Sequence, residues 1–234
     1  MQITWLGHSS FRITIGGQVL LIDPWLSGNP MLSDAQHDAA TAGATHILLT
    51  HGHFDHIADT LPLARKLNIP VVGQYDLMSH WAGTENIQTI GFNKGGTVNL
   101  GGDGAGVQVT MVHATHSSTF SSPEGPRIAG TECGFMIAGE GHVIYVTGDT
   151  DVMADMKVFA DLHAPDIGIL SCGGYFTMDM RRAAYAAKTF FDFKTVIPCH
   201  YRTFPILEQS ATVLTDALPG VKVIEPQVLE PITI

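Results

Sequence analysis

Four apolar runs in this chain end in residues that a strand end has no structural reason to carry. HILLT (46–50) leads into His51-Gly52-His53-Phe54-Asp55-His56, and VQVTMVH (107–113) is followed by His116. HVIYVT (142–147) is followed by Asp149 in the string TGDT, and TVIPC (195–199) by His200. Short, apolar runs of this kind predict strands, and HILLT one that is buried on both faces. The polar residues at their ends share an environment only if the fold gathers the carboxyl ends of those strands along one edge, as an open α/β sheet does. In extended backbone His51 and His53 project to one side, and Gly52 between them carries no side chain to obstruct a close approach.

One histidine after a strand reads as part of an ordinary polar loop. His51, His53, Asp55, His56, His116, Asp149 and His200 together are seven donors of the types that bind divalent cations. That is more than one tetrahedral ion uses, and it predicts two ions sharing a carboxylate. Zinc (Zn²⁺) suits the set first, with Mn²⁺, Fe²⁺ and Ni²⁺ as alternatives.

The rest of the chain is compatible with a sizeable core. Of 234 residues, 45% are apolar and 15% charged, which predicts one globular domain over 1–234. A net charge of −10 lacks the basic footprint of a nucleic-acid binder and disfavours anionic membrane surfaces. MQITWLGHSS shows no secretory pattern, no apolar run reaches the length of a membrane span, and Cys133, Cys172 and Cys199 form no CxxC pair. A cytoplasmic location is the expectation.

Further strands are predicted at ITWL (3–6), FRITI (11–15), QVLLID (18–23), PVVG (70–73), CGFMIA (133–138), DIGILS (166–171) and VKVIE (221–225), with Gly16-Gly17 as a hairpin turn. Helices are predicted from Asp59, as N-cap, to Lys66, from Asp179 onward, and over 206–218. SSTFSSPEGPRIAG (117–130) reads as a long surface loop. Strands with helices between them imply sheets covered by helices.

The string H-G-H-F-D-H at 51–56, with His116, Asp149 and His200, resembles the metallo-β-lactamase superfamily. ITWLGHSSFRI, IDPWLSGNP, His116-Ser-Ser, GGYFTMD (173–179) and PCHYRTFP (198–205) are similar to a branch of metal-dependent hydrolases beside the ascorbate-phosphate lactonases. The resemblance implies a four-layer αβ/βα sandwich, two mixed β-sheets flanked by helices, with the site at one sheet edge. It implies a first metal at His51, His53 and His116, a second at Asp55, His56 and His200, and Asp149 bridging. A metal-bound hydroxide would then cleave a small ester, lactone or phosphodiester, with Asp55 and Asp149 as the catalytic carboxylates. A thioester hydrolase, a mononuclear-iron sulfur dioxygenase and a non-catalytic metal-binding protein are the alternatives. Branch relatives form homo-oligomers, so self-association is an expectation too. The diiron electron carriers of the superfamily have Glu where this chain has His53, and an RNA-processing nuclease would need basic clamps.

Around this set, Asp23 is expected behind the histidine loop, as its position in the branch implies. His8 in LGHSS is placed near the site on the same ground. Tyr175, Thr177 and Tyr201 are expected as pocket walls or hydrogen-bond donors, with the helix start near 177–180 able to receive an anionic small-molecule substrate. His113 is read as structural, and the cysteines as small buried residues.

Overall fold

A computed structural model describes residues 1–102, 106–122 and 124–234. The strands are β1 (Gln2–Gly7), β2 (Ser10–Ile15), β3 (Gln18–Ile22), β4 (His46–Leu48), β5 (Val71–Gln74), β6 (Thr89–Phe92), β7 (Thr97–Leu100) and β8 (Val107–His113). Then come β9 (Thr119–Ser122), β10 (Gly125–Ile128), β11 (Cys133–Gly139), β12 (His142–Val146), β13 (Ile167–Ser171), β14 (Thr195–Cys199), β15 (Lys222–Val223) and β16 (Pro231–Thr233). The α-helices are α1 (His37–Thr41), α2 (Phe54–Ile57), α3 (Thr60–Leu67), α4 (Tyr75–Thr84), α5 (Asp155–His163), α6 (Met180–Phe190) and α7 (Thr212–Ala217).

Two seven-stranded mixed sheets result, ordered β16-β1-β2-β3-β4-β5-β6 and β15-β14-β13-β12-β11-β8-β7. Side-chain alternation builds the layers. Leu20 and Ile22 of β3 join a core shared with Val109, Phe135 and Ile144 of the second sheet. Leu21 between them faces the other way, onto a core with Leu63 of α3 and Leu77 and Trp81 of α4. On the far side, β13 and β14 are buried throughout, and Ala183, Ala184 and Ala187 of α6 pack into the same core. The order is helix, sheet, sheet, helix, the four-layer sandwich expected. Among the described residues, no helix is long and apolar enough to cross a membrane.

β4 is parallel to β3 and β5, and β12, β13 and β14 are parallel to one another. β8 is antiparallel to β11, and β11 to β12, so β8 runs in the direction of β12. The carboxyl ends of β8, β12 and β14 therefore meet along one rim, and the end of β4 comes to it from the facing sheet, with His51 Nε2 3.9 Å from Asp149 Oδ2.

Three local expectations change. The 117–130 segment is a β9–β10 hairpin, paired from Ser122↔Gly125 to Thr119↔Ile128; Pro123 within it lies outside the described residues. The helix expected over 206–218 is confined to α7, because the preceding residues fold back: Glu208 N donates to the Gly173 carbonyl at 2.9 Å and Arg202 N to the Glu208 carbonyl at 2.8 Å. Asp59 stands at the N-cap of α3 without capping it. Its carboxylate instead accepts from Leu26 N (2.7 Å), Ser27 N (2.9 Å) and Ser27 Oγ (2.6 Å), tying down the 24–29 loop.

Candidate metal centre

The histidine loop leaves β4 under tight control. Thr50 N and Thr50 Oγ1 donate to the two carboxylate oxygens of Asp23 at 2.8 and 2.6 Å. Asp23 Oδ2 also takes His56 Nδ1 at 2.8 Å. That bond puts a proton on Nδ1 and turns Nε2 of His56 toward the cluster, the arrangement usual for a metal-ligating imidazole. His53 is the N-cap of α2, which carries Asp55 and His56.

Gly52 is required by packing. A Cβ there would lie 2.4 Å from Ala129 Cβ and 3.0 Å from the Thr119 carbonyl. The β9–β10 hairpin thus sits directly on the loop, and Ser118 Oγ accepts from Gly52 N at 3.2 Å. Gly173 plays a similar part beneath His200: a Cβ there would lie 1.8 Å from the His200 carbonyl oxygen.

All seven expected ligands converge. His51, His53 and His116 offer atoms within 4.8 Å of one another, and so do His51, His56 and Asp149. A third such group contains Asp55, His56 and His200 with His8. One oxygen, Asp149 Oδ2, is the hub. It lies 3.0 Å from His200 Nε2, 3.4 Å from His56 Nε2, 3.7 Å from His116 Nε2 and 3.9 Å from His51 Nε2.

Ionisation follows burial and charge. Burial, the largest cause, depresses His51, His53 and His116, keeping them neutral. Burial opposes ionisation of Asp149 and Asp55, but His200 and His56 beside Asp149, and His56 and His8 beside Asp55, hold both carboxyls well below the usual range. His56 is pushed the other way: Asp149 and Asp23 outweigh its burial and raise it well above 6.5.

His8 is fully buried and contacts the cluster directly, its Nε2 lying 2.9 Å from Asp55 Oδ2 and its Nδ1 2.9 Å from Thr203 Oγ1. Burial and then His200 lower it to about 4, so the ring is neutral at pH 7. Since a carboxylate only accepts, the single N–H is on Nε2 and the Thr203 hydroxyl donates to Nδ1.

The donor set fits divalent cations. His56 Nε2 and Asp149 Oδ1 are buried without a hydrogen-bond partner among the described residues, a cost that metal ligation would remove. Neutral imidazoles and ionised carboxylates are the ligating forms, so a bound cation would take the place of the extra proton that Asp149 and Asp23 favour on His56.

Three expected wall residues lie elsewhere. Tyr201 is fully buried and stacks on Trp5, ring centroids 5.7 Å apart, because φ is positive at both His200 (57°) and Arg202 (67°) and adjacent side chains diverge. Tyr175 and Thr177 line a neighbouring polar depression with Asp151 and Arg182. Asp179 caps α6, accepting from Arg182 N at 2.7 Å. The cleft over the cluster, about 660 Å³, is instead walled by Phe54, Phe176, Phe204 and Ile206, with Ser117, Thr119 and Ser121 opposite. Phe54 is detectable in the sequence as the apolar residue inside H-G-H-F-D-H; the others have no sequence signal that separates them from their neighbours.

Residues 2–200 match the family model described as beta-lactamase superfamily domain. A UPF0173 metal-dependent hydrolase of Ruegeria pomeroyi is 66% identical over 234 residues, 100% of both chains. Another, of Dinoroseobacter shibae, is 65% identical over 232 residues, 99% of each. Among solved structures, Igni18, a metallo hydrolase from the archaeon Ignicoccus hospitalis, is similar at 29% identity and a TM-score of 0.84, covering 100% of this chain and 98% of that one.

Proposed function

This chain belongs to the beta-lactamase superfamily, and from that premise we propose that it is a metal-dependent hydrolase acting on an ester, lactone or phosphodiester bond of a small molecule. The observation that carries the reading is the convergence of imidazole nitrogens on Asp149 Oδ2 beside a cleft large enough for a small ligand. His51, His53 and His116 would hold one ion, Asp55, His56 and His200 a second, with Asp149 between them; the grouping of donor atoms supports this division. Such ions, when bound, bring water toward ionisation near neutral pH and polarise an electrophilic carbonyl or phosphoryl group.

The protein's own groups have separable tasks. Asp23 orients His56 and fixes Thr50 at the root of the loop. The Nε2–H of His8 steadies one oxygen of Asp55, so that this carboxylate stays ionised and correctly turned. With a substrate seated between them, the aromatic walls would help to displace water from the reacting centre.

The reading is tested by metal analysis of the reconstituted protein and by a screen of chromogenic esters and bis-p-nitrophenyl phosphate. Turnover abolished by chelator and restored by Zn²⁺ or Mn²⁺, and lost in H51A and D149A together with bound metal, is expected. Less than one metal per chain with no chelator-sensitive turnover would overturn it.

A further inference from the structure

Beyond the ligands, the cleft is marked by what its walls lack. Among the described lining residues there is no Lys or Arg. Arg182, on the far side of the Phe176 loop, is paired with Asp151 at 2.7 Å, and Arg127, in the adjoining groove, with Glu124 at 3.2 Å. No cationic side chain among the described lining residues is therefore placed to neutralise a charge on the remote part of a bound molecule. In its place stand Phe54, Phe176, Phe204 and Ile206.

Three of these are exposed as no folding argument requires: Phe54 by 62%, Ile206 by 54% and Phe176 by 52%. The aromatic members are nevertheless fixed in place. Phe204 stacks on Trp25 with centroids 5.9 Å apart, and Phe54 meets the same ring edge-on at 5.6 Å. Trp25 is itself buried and anchored by its Nε1–H to the Ser27 carbonyl at 3.0 Å. Phe176 approaches the His200 ring edge-on at 6.4 Å. A held apolar collar directly above a ligand cluster buries an apolar group of whatever reacts there.

We propose that the part of the substrate remote from the scissile bond is uncharged and apolar, a short acyl, alkyl or aryl group seated between Phe54, Phe176, Phe204 and Ile206. This rests on the hydrolase reading for the word substrate, and it replaces the anionic small molecule expected from sequence. Stripping an ionised group of water against these rings, with no cation to pair it, is unfavourable.

The test compares p-nitrophenyl hexanoate with the mono-p-nitrophenyl ester of adipic acid, equal in length but ending in a carboxylate, on metal-loaded protein. We expect kcat/KM at least tenfold higher for the hexanoate, and about two- to fourfold gained per methylene from acetate upward. F176A and I206A should compress that chain-length dependence. An adipate ester turned over as well as the hexanoate, or no dependence on chain length, overturns the proposal. So does a rim whose F176A and I206A variants change the oligomeric state while leaving the ester ratio intact, since the collar would then be a subunit contact. A readout independent of turnover is the fluorescence of the neutral probe N-phenyl-1-naphthylamine in the presence of chelator. It should brighten with wild type and dim with I206A, and a dark probe with wild type counts against the collar. If no ester or phosphodiester is hydrolysed at all, the hydrolase reading falls, and the probe alone decides the chemistry of the cleft.

Discussion

The carboxylate of Asp23 reaches across from the end of β3 to hold His56 Nδ1 at 2.8 Å while its two oxygens also receive Thr50 N and Oγ1. One buried side chain thus sets both the root of the histidine loop and the orientation of a proposed ligand within it. Asp23 itself sits at φ 44°, a conformation that costs backbone energy and persists only where surrounding contacts enforce it.

Asp23→Asn should therefore keep the fold but weaken the centre. An amide has one accepting oxygen where the carboxylate has two, so a Thr50 or His56 donor loses its partner. We expect metal affinity to fall about 10- to 100-fold, as for other residues that orient ligating histidines. Competition with a chromophoric chelator reads the affinity, and circular dichroism reads the fold. An unchanged affinity would show that Asp23 does not position His56.

Gly52→Ala should lose metal and stability together. Its Cβ would lie 2.4 Å from Ala129 Cβ, so the β9–β10 hairpin or the histidine loop must move, at a cost of about 1–3 kcal/mol. Ala129→Gly removes that contact while leaving the Thr119 carbonyl at 3.0 Å. The double variant should recover part of the loss, and a favourable coupling in the double-mutant cycle is the signature. Strictly additive effects would mean the contact is not what makes Gly52 necessary.

Most of this centre is legible in the amino-acid sequence, for a physical reason. β4, β12 and β14 are mostly buried apolar runs and β8 alternates apolar with polar residues, so all four announce themselves, and polar residues at their ends stand out. Elements with weaker patterns are not legible in this way. β6 and β7 are short and partly exposed, and β16 is defined only by pairing with β1 from the opposite end of the chain. The cleft walls escape for another reason. Whether Tyr175, Phe176 or Thr177 enters the cleft depends on backbone direction in an irregular loop, and Tyr201 is sent into the core by left-handed residues on either side. Periodicity carries no information about either.

Stability against pH should separate His8 from His56 in chelated protein. His8 titrates near 4 when folded and near 6.5 when unfolded, so the unfolded chain binds more protons between those values. The stability of keeping His8 neutral is complete above pH 6.5 and lost as pH falls toward 4, about 3 kcal/mol over the window. His56 is raised above 6.5, so its contribution is present below pH 6.5 and lost as pH rises through the folded value. Urea midpoints should thus fall less steeply on the acid side in H8Q and less steeply on the alkaline side in H56Q. Parallel curves for wild type and both variants would contradict these assignments.

Asp59 offers a way to move the cleft without touching a ligand. Its carboxylate takes three hydrogen bonds from Leu26 and Ser27, and the loop it holds carries Trp25, on which Phe204 and Phe54 rest. Asp59→Ala strands two backbone N–H groups, which should cost about 3 kcal/mol and lower Tm by roughly 6–12 °C for a chain of this size. Ser27→Ala removes only the hydroxyl partner and should cost about 1 kcal/mol. Because neither residue is among the converging donors, metal affinity should change far less than in Asp23→Asn. Differential scanning calorimetry and chelator competition on the same samples separate the two effects. A loss of metal in D59A equal to that in D23N would mean that the 24–29 loop, and not Asp23 alone, holds the histidine loop in place.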